Sequence, residues 1–175
     1  VDRDTLVISD ELNHASLIDA IRLTRGRRMV VGHRDVNAVA TALAERQERK
    51  AIIVTDAVFS VDGDLAPLAE LHALACEHGA MLIGDEAHSL GVIGDRGQGA
   101  AAAAGISGEA NVVLTLTLSK SLGSQGGAVV ADPSIIELLT SAARTFIFDT
   151  ALAPACAAAA LEALHIIEAT PQLVS

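Results

Sequence analysis

The sequence predicts an α/β protein, a doubly wound and mostly parallel sheet with helices on both faces. Three observations lead there. Short apolar runs alternate with amphipathic stretches along the whole chain, which is the pattern of repeated βα units. The short runs are continuously apolar instead of alternating, as in strands covered on both faces. Capping and breaking residues stand at the joins between them. With 175 residues and 51% hydrophobic content, the chain can bury one substantial core and is read as one domain, residues 1–175.

The elements follow in order. Residues 5–9 (Thr-Leu-Val-Ile-Ser) read as a strand, and residues 15–25 as a helix with Leu17, Ile18, Ile21 and Leu23 on one stripe. Residues 28–32 form the next strand. Asp35 is placed to accept from the first free amides of a helix over 36–49. The β-branched run 51–55 leads into Asp56-Ala57-Val58-Phe59-Ser60, and the turn 61–64 breaks the pattern. Pro67 lies in the first turn of a helix that Gly79 ends. Strands at 81–84 and 112–118 bracket a glycine-rich crossing, 91–108, with an alanine run inside it. A further strand covers 126–131, Asp132-Pro133 opens a helix to 144, residues 146–148 read as a short strand, and 153–169 as a long helix.

The formal net charge of −10 argues against a nucleic-acid or anionic-membrane surface. Small anions remain possible ligands, because helix N-termini bind phosphate without formal charge. No apolar run approaches the roughly 18 residues of a spanning helix. The start shows no basic segment followed by an apolar stretch and cleavage site. Val1 and Ser175 read as cuts through a longer protein. Cys76 and Cys156 fall inside helical patterns and are expected to be buried thiols in a reducing cytoplasm. No zinc-ligand spacing is present, so no metal is expected.

In open α/β sheets, ligands bind beyond the carboxyl ends of the strands. Five residues fall there: His14, Ser60, Asp85, His88 and Lys120. Singly, each has a bland reading as a turn former, a helix-start histidine or a surface lysine. Together they fit chemistry with pyridoxal 5′-phosphate (PLP), in which a lysine amine forms an imine with the cofactor aldehyde. A carboxylate keeps the pyridine nitrogen protonated. Asp85 and His88 close one apolar run and Lys120 ends the next. The glycines after Lys120 allow a sharp turn, and Thr117 and Ser119 bring hydroxyls suited to phosphate. A nucleophile-x-x-lysine reading of Thr117 to Lys120 has threonine in place of serine and lacks its partner motifs. No Gly-x-Gly-x-x-Gly follows a first strand.

The segments Asn13-His14-Ala15-Ser16, Val58-Phe59-Ser60-Val61-Asp62-Gly63-Asp64, Asp85-Glu86-Ala87-His88-Ser89-Leu90-Gly91 and Leu118-Ser119-Lys120-Ser121-Leu122-Gly123 resemble the α-oxoamine synthase family. Its members are fold-type I PLP enzymes that condense an amino acid with an acyl-CoA thioester and release carbon dioxide. The stretch from Phe146 to Pro154 is similar to actinobacterial members. The resemblance implies that Lys120 holds PLP covalently and removes the substrate α-proton, with Asp85 on the pyridine nitrogen and His88 on the phenolic oxygen. It places His14 over the ring and against substrate, Ser60 at the cofactor's polar edge, and Thr117 on the phosphate. Thr150 would reach the phosphate of a neighbouring subunit, since these enzymes are cytoplasmic homodimers. A desolvated Lys120 with a lowered pKa is expected to serve as the base. The family's N-terminal glycine segment and C-terminal small domain have no counterpart here, so the fragment alone is expected to be inactive. Asp149 stands where many relatives carry Ser or Thr, and Arg144 is no evident substitute for the missing substrate arginine. The rival from another class is a silent core that only binds PLP or dimerises.

Overall fold

The structure is a computed structural model and describes residues 1–174. Among these residues one six-stranded sheet runs in the order β2-β1-β3-β4-β5-β6. The strands are β1 (Thr5–Asp10), β2 (Arg27–Val31), β3 (Lys50–Asp56), β4 (Met81–Asp85), β5 (Val112–Thr117) and β6 (Gly127–Val130). The first five are mutually parallel, and β6 runs antiparallel to β5. The helices are α1 (Ala15–Arg22), α2 (Val36–Glu45), α3 (Leu68–Glu77), α4 (Ala100–Ala103), α5 (Pro133–Ala142), α6 (Arg144–Phe148) and α7 (Pro154–Ala169), followed by a 3₁₀ turn, Pro171–Val174. No helix among the described residues is long and apolar enough to cross a membrane.

Strand order decides which helix covers which face. The β1-to-β2 step moves one way across the sheet, and the later parallel steps move the other way. Right-handed crossovers therefore put α1 on one face and α2, α3 and α4 on the opposite one. The pleat agrees with this sorting. Leu6, Ile8, Ile53 and Leu82 pack with Val39, Leu43, Leu68, Leu71 and Ala101 in the main core. Their strand neighbours Val7, Val54 and Ile83 pack with Leu17 and Ile21 of α1. Since side chains two apart share a face, Asp56, Asp85, Thr115 and Thr117 project on the α1 side. Beyond α1 that face is open toward β5, and the site lies there.

Several expectations are corrected. The helices expected to run to 25 and 49 stop at Arg22 and Glu45. Residues 146–148 are helical within α6, despite the strand preference of Phe-Ile-Phe, because backbone bonds from Phe146 and Ile147 back to Ala143 O close a helical turn. The sheet is not covered throughout, since β6 is exposed along its whole length. Cys76 is exposed and Cys156 half-buried. On α3 the buried stripe is Leu68, Leu71 and Ala75, and Cys76 lies a third of a turn away from it.

Candidate active site

Each strand end delivers one part of the site. After β1, buried Asn13 is locked between strands: its Nδ2 donates to Val54 O at 2.8 Å and to Ser9 Oγ at 3.0 Å, and its Oδ1 accepts from Asp56 N at 2.9 Å. His14 follows as the N-cap of α1, with its Nδ1 accepting from Ser16 N. The capping bond fixes the ring at one nitrogen and satisfies a free helix amide. At the end of β4 the Asp85 carboxylate accepts from Ala87 N at 2.8 Å, which pins the turn leading to His88. Lys120 lies in the turn joining β5 to β6, closed by Leu118 N to Gly126 O at 2.9 Å and Ser124 N to Leu118 O at 2.8 Å. Its Nζ donates to His88 Nε2 at 2.8 Å.

These groups meet in one cleft of about 390 Å³, lined by His14, Ser16, Asp56, Asp85, Ala87, His88, Thr117, Ser119 and Lys120 among others. The structure thus brings together His14, Asp85, His88, Thr117 and Lys120. Ser60 is exposed and outside the lining, as is Thr150, which has φ 63° and donates its hydroxyl to Asp149 O at 2.6 Å. Lys120 is exposed. Its polar neighbour is His88.

Two cleft residues were not singled out from the sequence. Asp56 ends β3 and is the register partner of Asp85 at the end of β4. It is 3% exposed, and its Oδ2 accepts from His14 N at 2.7 Å. Burial pushes its carboxyl above the ordinary Asp range, and the nearby Asp85 charge adds to the rise. The His14 amide bond and the His14 and His88 imidazoles pull the other way without cancelling it. Thr115, the register partner of Asp85 on β5, lines the cleft with a buried hydroxyl that has no hydrogen-bond partner. The available signal was the same for both acids: a carboxylate closing an apolar strand run.

The loop carrying Ser60 is tied to its neighbours by His33. Its Nδ1 lies 3.1 Å from Asp10 Oδ1 and its Nε2 lies 2.7 Å from Asp64 Oδ2. The ring meets Phe59 edge-on at 4.4 Å. Burial lowers the imidazole pKa, but the Asp10 and Asp64 bonds outweigh it and the net direction is upward.

A model of the class I and II aminotransferases matches residues 1–175. The chain belongs to that family. Within the aminotransferase class I and II family it is 55% identical over 168 residues to 8-amino-7-oxononanoate synthase of Mycolicibacterium smegmatis, covering 96% of this chain and 44% of that protein. It is likewise 55% identical over 169 residues to the synthase of Mycobacterium avium, covering 97% and 44%. The chain spans less than half the length of these curated relatives. Among solved structures, a serine palmitoyltransferase variant from S. paucimobilis with a bound PLP–myriocin aldimine superposes with a TM-score of 0.87 at 32% identity, over 96% of this chain and 42% of that one. An 8-amino-7-oxononanoate synthase from Francisella tularensis gives 0.80 at 31%, over 95% and 48%.

Proposed function

We propose that this protein is the PLP-holding core of an α-oxoamine synthase that joins L-alanine to pimeloyl-CoA, releasing CoA and carbon dioxide and giving 8-amino-7-oxononanoate for biotin biosynthesis. The observation that carries this reading is the cleft itself. An amine, an imidazole, carboxylates and hydroxyls line it, and these are the groups that a pyridine nitrogen, a phenolic oxygen, an aldehyde and a phosphate require. The unpartnered Thr115 hydroxyl is a buried polar group that an occupant would satisfy. The donor set therefore fits PLP.

When bound, PLP supplies an electron sink for charge developing beside the substrate carboxyl group. Asp85 would keep the ring nitrogen protonated, since an adjacent carboxylate favours the cationic form. Lys120 Nζ would hold the aldehyde carbon of the cofactor and, when free, would take the substrate α-proton. The 2.8 Å bond from Nζ to His88 Nε2 gives a proton on the lysine an acceptor in place, so His88 helps free the amine for that task. His88 would hydrogen-bond the phenolic oxygen. His14 would stack on the ring face and touch the substrate. The Thr117 hydroxyl, bonded to Ser119 Oγ at 2.8 Å, would bind the phosphate. Ser60 would contact the cofactor's polar edge, and Thr150 would serve a second subunit's phosphate in a homodimer.

The test begins with cofactor. Adding PLP should give an absorbance band near about 420 nm, as expected of a lysine-bound imine, and borohydride should fix the label on Lys120. Lys120→Ala should abolish both. The full-length enzyme is then assayed with alanine, glycine and serine against acetyl-, pimeloyl- and palmitoyl-CoA. Preference for glycine with acetyl-CoA would instead assign a glycine C-acetyltransferase. Turnover without thioester would assign a transaminase or lyase. No band and no label would leave a silent core.

A further inference from the structure

We propose that Asp56 is a positioning residue that couples Asp85 to His14, holding the His14 backbone amide and holding it more firmly when a cation sits against Asp85. The inference rests on the cofactor reading of the cleft given above and assigns a role to a residue that reading does not use. The geometry is short and direct. Asp56 and Asp85 are register partners on adjacent strands, and Asp56 Oδ2 accepts from His14 N at 2.7 Å. That amide belongs to the N-cap of α1, so the bond sets how the first turn of the helix meets the sheet and where its imidazole enters the cleft. Asn13, clamped to Ser9, Val54 and the Asp56 amide, leaves little slack on the other side of the link.

The groups that face Asp56 come from three elements. Asp85 at the end of β4 opposes its charge, while His14 at the start of α1 and His88 after β4 favour it. Lys120, after β5, lines the same cleft. With no cation held against Asp85, burial and the Asp85 charge both work against an ionised Asp56. A protonated ring nitrogen at Asp85 would offset that repulsion. That shifts the balance toward the ionised Asp56 carboxylate, and a charged acceptor binds an amide more strongly than a neutral one. Occupancy at Asp85 thereby tightens the placement of His14.

The test reads His14 itself, without turnover. In ¹⁵N-labelled protein, the His14 amide shift is followed against pH with and without PLP, together with its hydrogen exchange. The wild type should show an acid-range step with a midpoint above the ordinary Asp value of about 3.9, moving to lower pH on addition of PLP. Asp56→Asn, which keeps shape and an acceptor oxygen, should lose the step. Asp56→Ala should speed His14 amide exchange at least about tenfold, as expected when a bond worth about 1.4 kcal/mol or more is removed. An unmoved midpoint with PLP bound, or a step that persists in Asp56→Asn, would overturn the coupling. If Asp56→Ala does not fold, the Asp56→Asn titration decides alone. If PLP does not bind the wild type, the cofactor reading fails, and the same titration with N-methylpyridinium decides the coupling: a lowered midpoint supports it and an unmoved one rejects it.

Discussion

Asp85 and Glu86 are adjacent acids with opposite duties, and Glu86→Ala separates them. By the pleat, Glu86 projects away from the cleft, toward α4. It is 3% exposed, and it accepts from Ala100 N at 2.9 Å, from Ala101 N at 2.7 Å and from the Ser89 hydroxyl. Its charge sits at the N-terminus of α4, where free amides favour an anion. Gly99 precedes that helix at φ 101°, and a Cβ there would strike the Glu86 carboxylate, so the chain has been shaped around this acid. Alanine leaves two amides unpaired and the Ser89 hydroxyl with only its 3.3 Å contact to the carbonyl of residue 86. At about 1–3 kcal/mol for each buried orphan, with water entering the vacated space and offsetting part of the loss, the expected cost is about 3–5 kcal/mol. With a urea m-value of about 2 kcal/mol/M, the midpoint should fall by about 2 M. Asp85→Asn, which retains the acceptor for Ala87 N, should shift the midpoint by less than about 0.5 M while PLP binding weakens at least about tenfold, as loss of a charged partner implies. A shift below about 0.5 M for Glu86→Ala would refute the assignment of Glu86 as the anchor of α4.

Two further outcomes concern pH. His33 has a folded pKa raised above its ordinary 6.5 by Asp10 and Asp64, against the effect of burial. Its stabilisation is therefore complete below that ordinary value and is lost as pH rises through the raised one; urea midpoints across this window should decline in wild type and flatten in His33→Gln. Asp56 has the opposite consequence. Its raised pKa means that folding costs more once the group is ionised, so stability falls as pH climbs from the ordinary Asp value through the raised one. Asp56→Asn should then be at least as stable as wild type to urea at pH 7, and a clearly lower midpoint would contradict the burial argument.

The βα alternation and the gathering of His14, Asp85, His88, Thr117 and Lys120 were legible because apolar runs and their closing polar residues are local signals. The direction of β6 was not. Gly-Ala-Val-Val reads the same whichever way it pairs, and only the short turn after Leu118 favours reversal. Residues 146–148 misled because Phe and Ile suit strands in general, while here the backbone bonds to Ala143 decide. Asp56 escaped notice because an acid before Ala57-Val58-Phe59 resembles any turn former. Its meaning comes from lying beside Asp85 in the sheet register, a contact between residues far apart in sequence. The exposure of Lys120 and the distance of Ser60 from the cleft likewise depend on loop paths that no residue pattern encodes.

The turn that carries Lys120 also bears on the order of assembly. Each connection between consecutive parallel strands here includes a helix, whereas β5 passes to the antiparallel β6 through residues 118–126 alone. Closing so short a segment costs little chain entropy, and contacts close in sequence form quickly. The lysine hairpin therefore closes a shorter loop than the crossovers that bring Asp56 and Asp85 beside each other, so the amine's immediate frame costs less chain entropy to form than the acidic pair.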